Sequence, residues 1–349
     1  MNPFTSPVDP KMPMHWYFHY LDQVANLEFK SKPSQQGGTQ LRYDAGRTVQ
    51  GNEPICGLIA RALVPVVAEG KGTVVLVTGT GNPLWLPRGE TDGPSGVAIL
   101  TRVFGALGLR SCVMTEEPFV EAVSRSVLAA GTPLLEESSW GQRSNAAVVL
   151  PYPTGAEKSR AFIDAFFARQ HDVKAVFFIE KPGPNALGVF HNSSGKPKDT
   201  DWVAHAHQLA DLARSRNILT VAVGDGGNEI GFGQLRQNLL LHHPYGIDCG
   251  CPCKGGILNA TQVDFILPAA VSNWGAYAIA AALCLATGNV RAMPEWREVQ
   301  ASIFAPIAAG AYDGYSGLAV PSVDGVSLAG NKAVYDLMLE VMRMSQEAA

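Results

Sequence analysis

Leu219-Thr-Val-Ala-Val-Gly-Asp-Gly-Gly-Asn-Glu-Ile-Gly231 joins a mostly apolar pentapeptide to a turn made largely of glycine. The pentapeptide has the composition of a strand buried on both faces of a parallel sheet, and such sheets bind ligands at the carboxyl ends of their strands. Glycine lets the backbone approach a ligand closely, and Asp225 and Glu229 carry side chains that bind cations or move protons. The stretch therefore predicts a polar site at the end of a buried strand. The alternative is a structural turn in which Asp225 and Asn228 cap the next helix.

Similar apolar runs recur along the chain and alternate with helical patterns. The strand candidates are residues 73–78, 111–115, 146–150, 175–179, 219–223 and 263–267. The helical patterns are residues 54–69, 94–107, 118–130, 157–169, 201–216, 274–285 and 331–344. Alternation of this kind indicates a parallel sheet covered on both sides. We therefore predict an α/β fold with a doubly wound, mostly parallel sheet and helices on both faces.

The beginning of the chain differs from the rest. Residues 16–27 suit a short amphipathic helix, and residues 31–38 are polar and contain glycine. No internal repeat or Pro/Ser-rich linker divides the remainder. The prediction is an N-terminal helical extension over residues 1–50 and a single α/β domain over residues 51–349.

Charge and hydropathy limit the partners. The chain has 349 residues and a formal net charge of −4, so it has no broad basic field for nucleic acid or an anionic membrane. It shows neither a signal-peptide core nor an apolar run long enough to span a bilayer. We expect a cytoplasmic protein that binds a small acidic molecule, and we leave open whether it forms a homo-oligomer.

The six cysteines are expected as reduced thiols in a chain of this length. Three of them stand together in Cys249-Gly-Cys251-Pro-Cys253, with His242 and His243 nearby. Zinc sites usually add a second pair of ligands with similar spacing, and none follows. A loop rich in small residues is favoured over a zinc or redox site, and the role of the three cysteines stays open.

A long loop, residues 79–93, follows the first predicted strand. Asp92 would cap the next helix, but capping explains neither the length of the loop nor the presence of Glu90. Long loops inside compact domains are usually functional. Together with Thr78 and Thr80, the loop offers hydroxyls, backbone amides and a helix N-terminus to an anionic ligand.

Two further strand ends carry polar residues. Burial at the crevice rim would raise the pKa of Glu180 toward that of a useful general base, and Lys181 would hold a substrate carboxylate. A solvated ion pair is the alternative for these two residues. Ser272 and Asn273 begin the helix after the last strand, either as helix caps or as ligand contacts.

Several well-known motifs are absent. The sequence contains no Gly-x-Gly-x-x-Gly, no P-loop and no Gly-x-Ser-x-Gly. This disfavours a nicotinamide enzyme, a P-loop NTPase and an α/β-hydrolase. Acid/base or metal-assisted chemistry by carboxylates on converging loops remains.

Four motifs follow one another in the chain: Glu90-Thr-Asp-Gly-Pro94, Glu180-Lys-Pro-Gly-Pro-Asn185 with Gly188-Val-Phe-His-Asn192, Gly224-Asp-Gly-Gly-Asn-Glu-Ile-Gly231, and Val271-Ser-Asn-Trp-Gly275. In this order they resemble the D-glutamate cyclase C-terminal domain family, over roughly residues 50–330. The resemblance implies an α/β domain and cyclisation of D-glutamate to 5-oxo-D-proline with loss of water. The cysteine cluster does not belong to these motifs.

Such a cyclisation needs a base for the α-ammonium and an electrophile for the γ-carboxylate. We predict four catalytic residues, with Asp225 or Glu180 as the base. The electrophile is Lys181, the backbone amides of the glycine turn, or a cation held by Asp225 and Glu229. No cofactor is certain, and Mg²⁺ or Mn²⁺ is the candidate metal. The predicted substrate contacts are Thr78, Glu90, Asp92, Gly93, Asn185, Gly226, Gly227, Asn228, Ser272 and Asn273.

Two other functions compete with the cyclase. Gly224-Asp-Gly-Gly-Asn-Glu229 is similar to the magnesium motif of haloacid-dehalogenase-type phosphohydrolases, but the first strand leads to Thr78-Gly-Thr80 and not to their Asp-x-Asp nucleophile. The third function is non-catalytic binding of a small acid or nucleotide. Longer family members resemble a fusion with a hydro-lyase-like domain, and binding without turnover follows if that domain carries the activity.

Overall fold

A computed structural model describes residues 12–29 and 38–347. Its centre is a sheet of six parallel strands in the spatial order β3-β2-β1-β4-β5-β6. The strands are β1 Thr73–Thr78, β2 Arg110–Thr115, β3 Ala147–Pro151, β4 Val173–Ile179, β5 Leu219–Gly224 and β6 Phe265–Pro268. All six lie within two residues of their predicted positions. The predicted doubly wound α/β fold is confirmed.

Helices cover both faces of this sheet. They are α1 Met12–Ala25, α2 Gly38–Val49, α3 Ile55–Ala68, α4 Pro94–Ala106, α5 Val120–Ala129, α6 Glu137–Trp140, α7 Ala156–Arg169, α8 His207–Ser215, α9 Arg236–Leu239, α10 Ser272–Thr287, α11 Trp296–Ala308 and α12 Leu328–Glu347. A small antiparallel hairpin, β7 Ser322–Val323 and β8 Val326–Ser327, precedes the last helix. No helix within residues 12–29 and 38–347 is long and apolar enough to cross a membrane.

The alternation of side chains along the strands produces two cores. In β1, Val74 and Leu76 pack into the core formed with α3, α4 and α10, whereas Val75 and Val77 pack into the core formed with α7 and α8. Side chains on a strand point to opposite faces in turn, so a strand of consecutive apolar residues is buried on both sides. Because both faces are buried, the position of each strand could be predicted from its apolar composition.

One predicted helix begins later than expected. The pattern over residues 201–216 predicts a helix from Asp201, but α8 begins at His207. Asp199 caps a separate 3-10 turn, Thr200–Trp202, and the N–H of Ala204 donates to the Glu116 carboxylate at 2.8 Å. The backbone before α8 is therefore bonded to another element and is not available for a helix.

The N-terminal helices pack into the main core. Phe18 and Leu21 of α1 are buried there, and the buried Asp22 accepts hydrogen bonds from the N–H groups of Ile55 (2.6 Å) and Cys56 (3.0 Å). It also accepts the Tyr43 hydroxyl of α2 at 2.9 Å. Asp22 thus joins the first three helices. Residues 1–11 and the predicted polar stretch 31–38, apart from Gly38, lie outside the described residues.

The central strands end level with one another. Thr78 pairs with Ile179, Ile179 with Val223, and Gly224 with Pro268. The strand order reverses after β1, and in open sheets the crevice at such a reversal binds the ligand. The loops that follow β1, β4, β5 and β6 therefore start side by side.

Candidate functional site

Carboxylates from these loops lie close together. Oxygens of Glu180, Asp225 and Glu229 all lie within 4.8 Å of one another, and so do oxygens of Asp92, Asp225 and Asp324. Asp225 belongs to both groups. Like charges at these distances repel strongly in a buried site, so the arrangement requires bound protons or cations.

The glycine turn after β5 holds Glu229 through the backbone. The Glu229 carboxylate accepts the N–H of Gly226 at 2.9 Å and the N–H of Gly227 at 2.8 Å. A Cβ on Gly226 would lie 2.6 Å from Asn228 Oδ1, and Gly227 has a φ of +95°. Only glycine fits both requirements. Burial and the Asp225 charge raise the pKa of Glu229, and the two backbone hydrogen bonds oppose that rise.

Several buried polar atoms at the site have no hydrogen-bond partner among the described residues. Two of them, Oδ1 of Asn228 and Oγ1 of Thr78, belong to predicted substrate contacts. The amide nitrogen of Asn228 donates to the His191 carbonyl at 3.1 Å, which fixes the orientation of its side chain. An unpaired buried polar atom costs about 1–3 kcal/mol, so these two atoms indicate space for a ligand or water.

Glu180 has an unusual backbone and an unusual ionisation. It lies in the left-handed region, with φ +49°, directly after β4. Its carboxylate accepts the Ser272 hydroxyl at 2.6 Å. Burial, and then the charges of Glu229 and Asp225, raise its pKa well above the usual range. Non-glycine residues in this conformation cluster at functional sites, and a raised pKa suits a proton donor.

The neighbouring Lys181 contacts different partners. Its side chain is fully buried and forms an ion pair with Glu116, at the end of β2, and it donates to the Gly79 carbonyl at 3.0 Å. Burial lowers the pKa of Lys181, and Glu116 opposes that shift. Sequence reasoning missed Glu116, although a polar residue at a strand end was the available signal.

Asp92 and Asn273 each cap the helix of the other. Asp92 accepts the N–H groups of Ser272 and Asn273, both at 2.8 Å, at the start of α10. Asn273 Oδ1 accepts the N–H groups of Gly93 (3.0 Å) and Gly96 (2.6 Å), at the start of α4. Capping of its own helix was one of two interpretations of each residue, and in the structure each caps the other helix instead. The reciprocal caps bring two helix N-termini to the carboxylates, where the positive ends of the helix dipoles favour negative charge.

Two basic residues lie near the carboxylates and were not identified from the sequence. Lys198 is half-buried and donates to Thr80 Oγ1; burial lowers its pKa, and the Glu90 charge raises it. Arg42, on α2, is close enough for Asp225 and Glu229 to raise its pKa against the larger lowering by burial. Both are single basic residues outside any motif, so only the fold reveals their position.

The segment before α12, which includes Asp313 and Asp324, packs beside the site. Glu90 forms a bridge with Tyr312, and burial raises its pKa well above the usual range while Lys198 opposes the rise. The fully buried Asp313 accepts four hydrogen bonds, including the N–H of Gly325 at 2.9 Å and the Ser322 hydroxyl at 2.8 Å. These bonds hold the turn that carries Asp324.

Asn185 has a different place from the other predicted contacts. Its Oδ1 accepts the N–H groups of Leu187 and Val189, both at 3.0 Å, and its Nδ2 donates to the Gly256 carbonyl at 2.8 Å. The first two bonds organise its own loop, and the third joins that loop to the segment that contains Gly256. His243 contacts the glycine turn through the Gly226 carbonyl at 2.9 Å.

Comparison with known proteins identifies one family. The family model described as D-glutamate cyclase-like, C-terminal, matches residues 44–339. The human protein D-glutamate cyclase, mitochondrial, is 29% identical over 226 residues, which cover 60% of this chain and 32% of that protein. The chain thus spans about a third of the length of this relative.

Proposed function

Since the chain belongs to the D-glutamate cyclase-like, C-terminal family, we propose that it is a lyase that cyclises D-glutamate to 5-oxo-D-proline with release of water. The observation that carries this proposal is the convergence of Glu180, Asp225 and Glu229, whose oxygens lie within 4.8 Å of one another. The raised pKa values of Glu180 and Glu229 support it. The phosphohydrolase gains no support, because β1 ends in Thr78 and leads to no Asp-x-Asp nucleophile.

The charges of the site complement those of the substrate. Glutamate carries one ammonium and two carboxylates, and it must fold until the nitrogen reaches the γ-carbon. In our proposal the ammonium binds among the carboxylates of Asp225 and Glu229. Lys198 binds a substrate carboxylate, and the positive ends of the α4 and α10 dipoles favour negative charge nearby. Holding both ends of a flexible substrate in this geometry contributes several kcal/mol to catalysis.

Proton balance explains why two carboxylates with different ionisation are needed. The ammonium nitrogen loses two protons when it becomes the ring amide, and the departing oxygen gains two protons when it leaves as water. We assign Asp225 as the base that removes a proton from nitrogen, and protonated Glu180 as the acid that protonates the γ-carboxylate oxygen. A protonated γ-carboxyl group accepts an amine where a carboxylate does not. No net proton is taken from solvent.

An alternative arrangement places a divalent cation at these carboxylates. Asp225 and Glu229 offer carboxylate oxygens, the ligands that Mg²⁺ and Mn²⁺ prefer, and Asn228 Oδ1 is an unpaired oxygen nearby. Bound there, Mg²⁺ or Mn²⁺ would polarise the γ-carboxylate. Adding Mg²⁺ or Mn²⁺ back after chelation distinguishes the two arrangements, because a site that needs only protons gains no activity from either ion.

The test is 5-oxoproline formation from D-glutamate by the purified full chain, with Mg²⁺, with Mn²⁺ and with a chelator. L-Glutamate tests stereospecificity. Asp225→Asn removes the base and retains the shape of the side chain. Asp201→Asn, at an exposed position, is the matched control.

We expect product from D-glutamate that is lost in Asp225→Asn and kept in Asp201→Asn. The cyclase proposal would be overturned if the chain formed no product with Mg²⁺ or with Mn²⁺ although it was folded, as shown by cooperative unfolding on heating. A thermal shift caused by D-glutamate without product would then indicate the non-catalytic binding function.

A further inference from the structure

The cysteine cluster is a second group of chemically active side chains, and the proposed cyclase mechanism does not use it. Cys249, Cys251 and Cys253 have their sulfur atoms 3.1–3.3 Å apart. His191, which is fully buried, places Nε2 at 3.3 Å from Cys251 Sγ and 3.6 Å from Cys253 Sγ. One donor atom from each of the four residues lies within 4.8 Å of the others.

The four donor atoms have the composition and shape of a zinc site. Three sulfurs and one imidazole nitrogen form a common set of ligands for tetrahedral Zn²⁺. A tetrahedron with edges of about 3.3 Å has its centre about 2.0 Å from each corner, and zinc–sulfur bonds are about 2.3 Å long. A shift of a few tenths of an ångström per ligand would therefore accommodate the ion. All three cysteines are free thiols in the structure.

Neighbouring groups orient these ligands. Nδ1 of His191 lies 3.1 Å from the Val189 carbonyl, so a proton on Nδ1 leaves the lone pair of Nε2 for a metal. Cys253 Sγ accepts the N–H of Gly255 at 3.4 Å and the side-chain amide of Asn185 at 3.6 Å. Donors of this kind stabilise the negative charge of a thiolate.

We propose that His191, Cys249, Cys251 and Cys253 bind one zinc ion with a structural role. Four protein ligands close the coordination shell, so no position is left for a substrate. The ion would connect the loop that contains His191 to the loop that contains the three cysteines. Since the His191 carbonyl accepts the amide of Asn228, the same ion would steady the glycine turn of the cyclase site.

The sequence pattern concealed this site. The three cysteines have the spacing of every second residue, and the fourth ligand lies 60 residues before Cys251. His242 and His243, the nearest histidines in sequence, are not part of the cluster that the structure describes. The tertiary fold supplies the missing ligand.

The first experiment is metal analysis of the full chain, purified without chelator from medium that contains zinc, by plasma mass spectrometry. We expect about one zinc ion per chain. Cys251→Ser and His191→Gln should each lower the zinc content at least fivefold. Cys284→Ser is the matched control, because Cys284 is a buried free thiol outside the cluster, and it should retain the zinc.

A second measurement does not depend on the folding of variants. The wild-type chain is stripped of metal and titrated with Co²⁺, which absorbs strongly when tetrahedral and shows charge-transfer bands when bound to thiolates. We expect these bands to saturate at about one Co²⁺ per chain and to disappear when Zn²⁺ is added. The proposal is overturned if wild-type protein contains no zinc and gives no cobalt bands. It is also overturned if alkylation and mass spectrometry show a disulfide within the cluster in fresh protein.

Discussion

Glu180 combines a left-handed backbone with a carboxyl group that resists ionisation. Because its pKa is raised by folding, the folded state binds a proton that the unfolded state has lost at neutral pH. The contribution of Glu180 to stability therefore falls as the pH rises above the unfolded pKa and on through the folded pKa. The residue is retained at the expense of stability, which is typical of active sites.

Glu180→Gln should separate catalysis from stability. Removing the proton donor should lower kcat roughly 100-fold to 10,000-fold. The variant should be at least as stable as wild type at pH 8, and its melting temperature should depend less on pH between pH 5 and 8. Activity assays and thermal scans across pH measure both. A variant with full activity would exclude Glu180 as the acid.

Lys198→Met should weaken substrate binding. The half-buried ammonium beside Glu90 is proposed to hold a substrate carboxylate, and loss of one charged hydrogen bond of about 1.5–3 kcal/mol should raise KM for D-glutamate about 10-fold to 100-fold. Lys196→Met is the matched control, since Lys196 is exposed and two residues away. Equal effects of the two substitutions on KM would contradict a specific role for Lys198.

The sequence analysis did not predict that Arg42, Lys198 and Glu116 lie near the site. The carboxylates after β4 and β5 were identifiable because they stand in glycine-rich turns that follow apolar strands. The other three residues stand in ordinary polar surroundings, and their approach to the site depends on pairings between distant parts of the chain. Local sequence contains no signal for the contacts of Arg42 and Lys198, whereas the position of Glu116 at a strand end was a signal that went unused.

At the scale of elements, the reciprocal caps join α4 and α10. Asp92→Ala removes the acceptors of two buried N–H groups, and Asn273→Ala does the same at the start of the other helix. Each substitution should lower the free energy of unfolding by about 1–2 kcal/mol, measured by urea denaturation. In the double variant the free energy of unfolding should fall by less than the sum of the two single decreases. The two residues belong to one contact between α4 and α10, so losing either one already weakens the other cap.

Asp199→Ala is the comparison for these caps. Asp199 is exposed and caps only a single 3-10 turn through the N–H of Asp201. Loss of this cap should lower the free energy of unfolding by less than half of the decrease expected for Asp92→Ala or Asn273→Ala. Additive losses in the double variant would show that the two helix N-termini are stabilised independently.

The positions of the strands were predicted more accurately than the starts and caps of the helices. Each strand is buried on both faces, so its apolar composition marks it directly. The start of α8 was wrong because the Glu116 carboxylate binds the backbone at Ala204, and that contact comes from a loop nearly ninety residues earlier. The reciprocal capping was also missed, since a residue before a helix is normally assumed to cap that helix.

At the scale of the whole molecule, Asp22 tests whether the first fifty residues belong to the structural core. Asp22→Ala leaves the N–H groups of Ile55 and Cys56 and the Tyr43 hydroxyl without their buried acceptor. The free energy of unfolding should fall by about 2–5 kcal/mol. Asp44→Ala, at an exposed position on α2, should change it by less than about 0.5 kcal/mol. A small effect of Asp22→Ala would show that α1 is a dispensable extension.

The reciprocal caps also bear on synthesis of the protein. Asp92 and its partner Ser272 are 180 residues apart in the chain. At ribosomal rates of about 5–20 residues per second, Asp92 would wait roughly 10 to 35 s for its partner to emerge. During that interval the nascent chain carries α4 without its cap and a crevice without its second helix. A truncated translation product that stops before α10 would therefore be inactive, and would offer its exposed first half to chaperones or proteases.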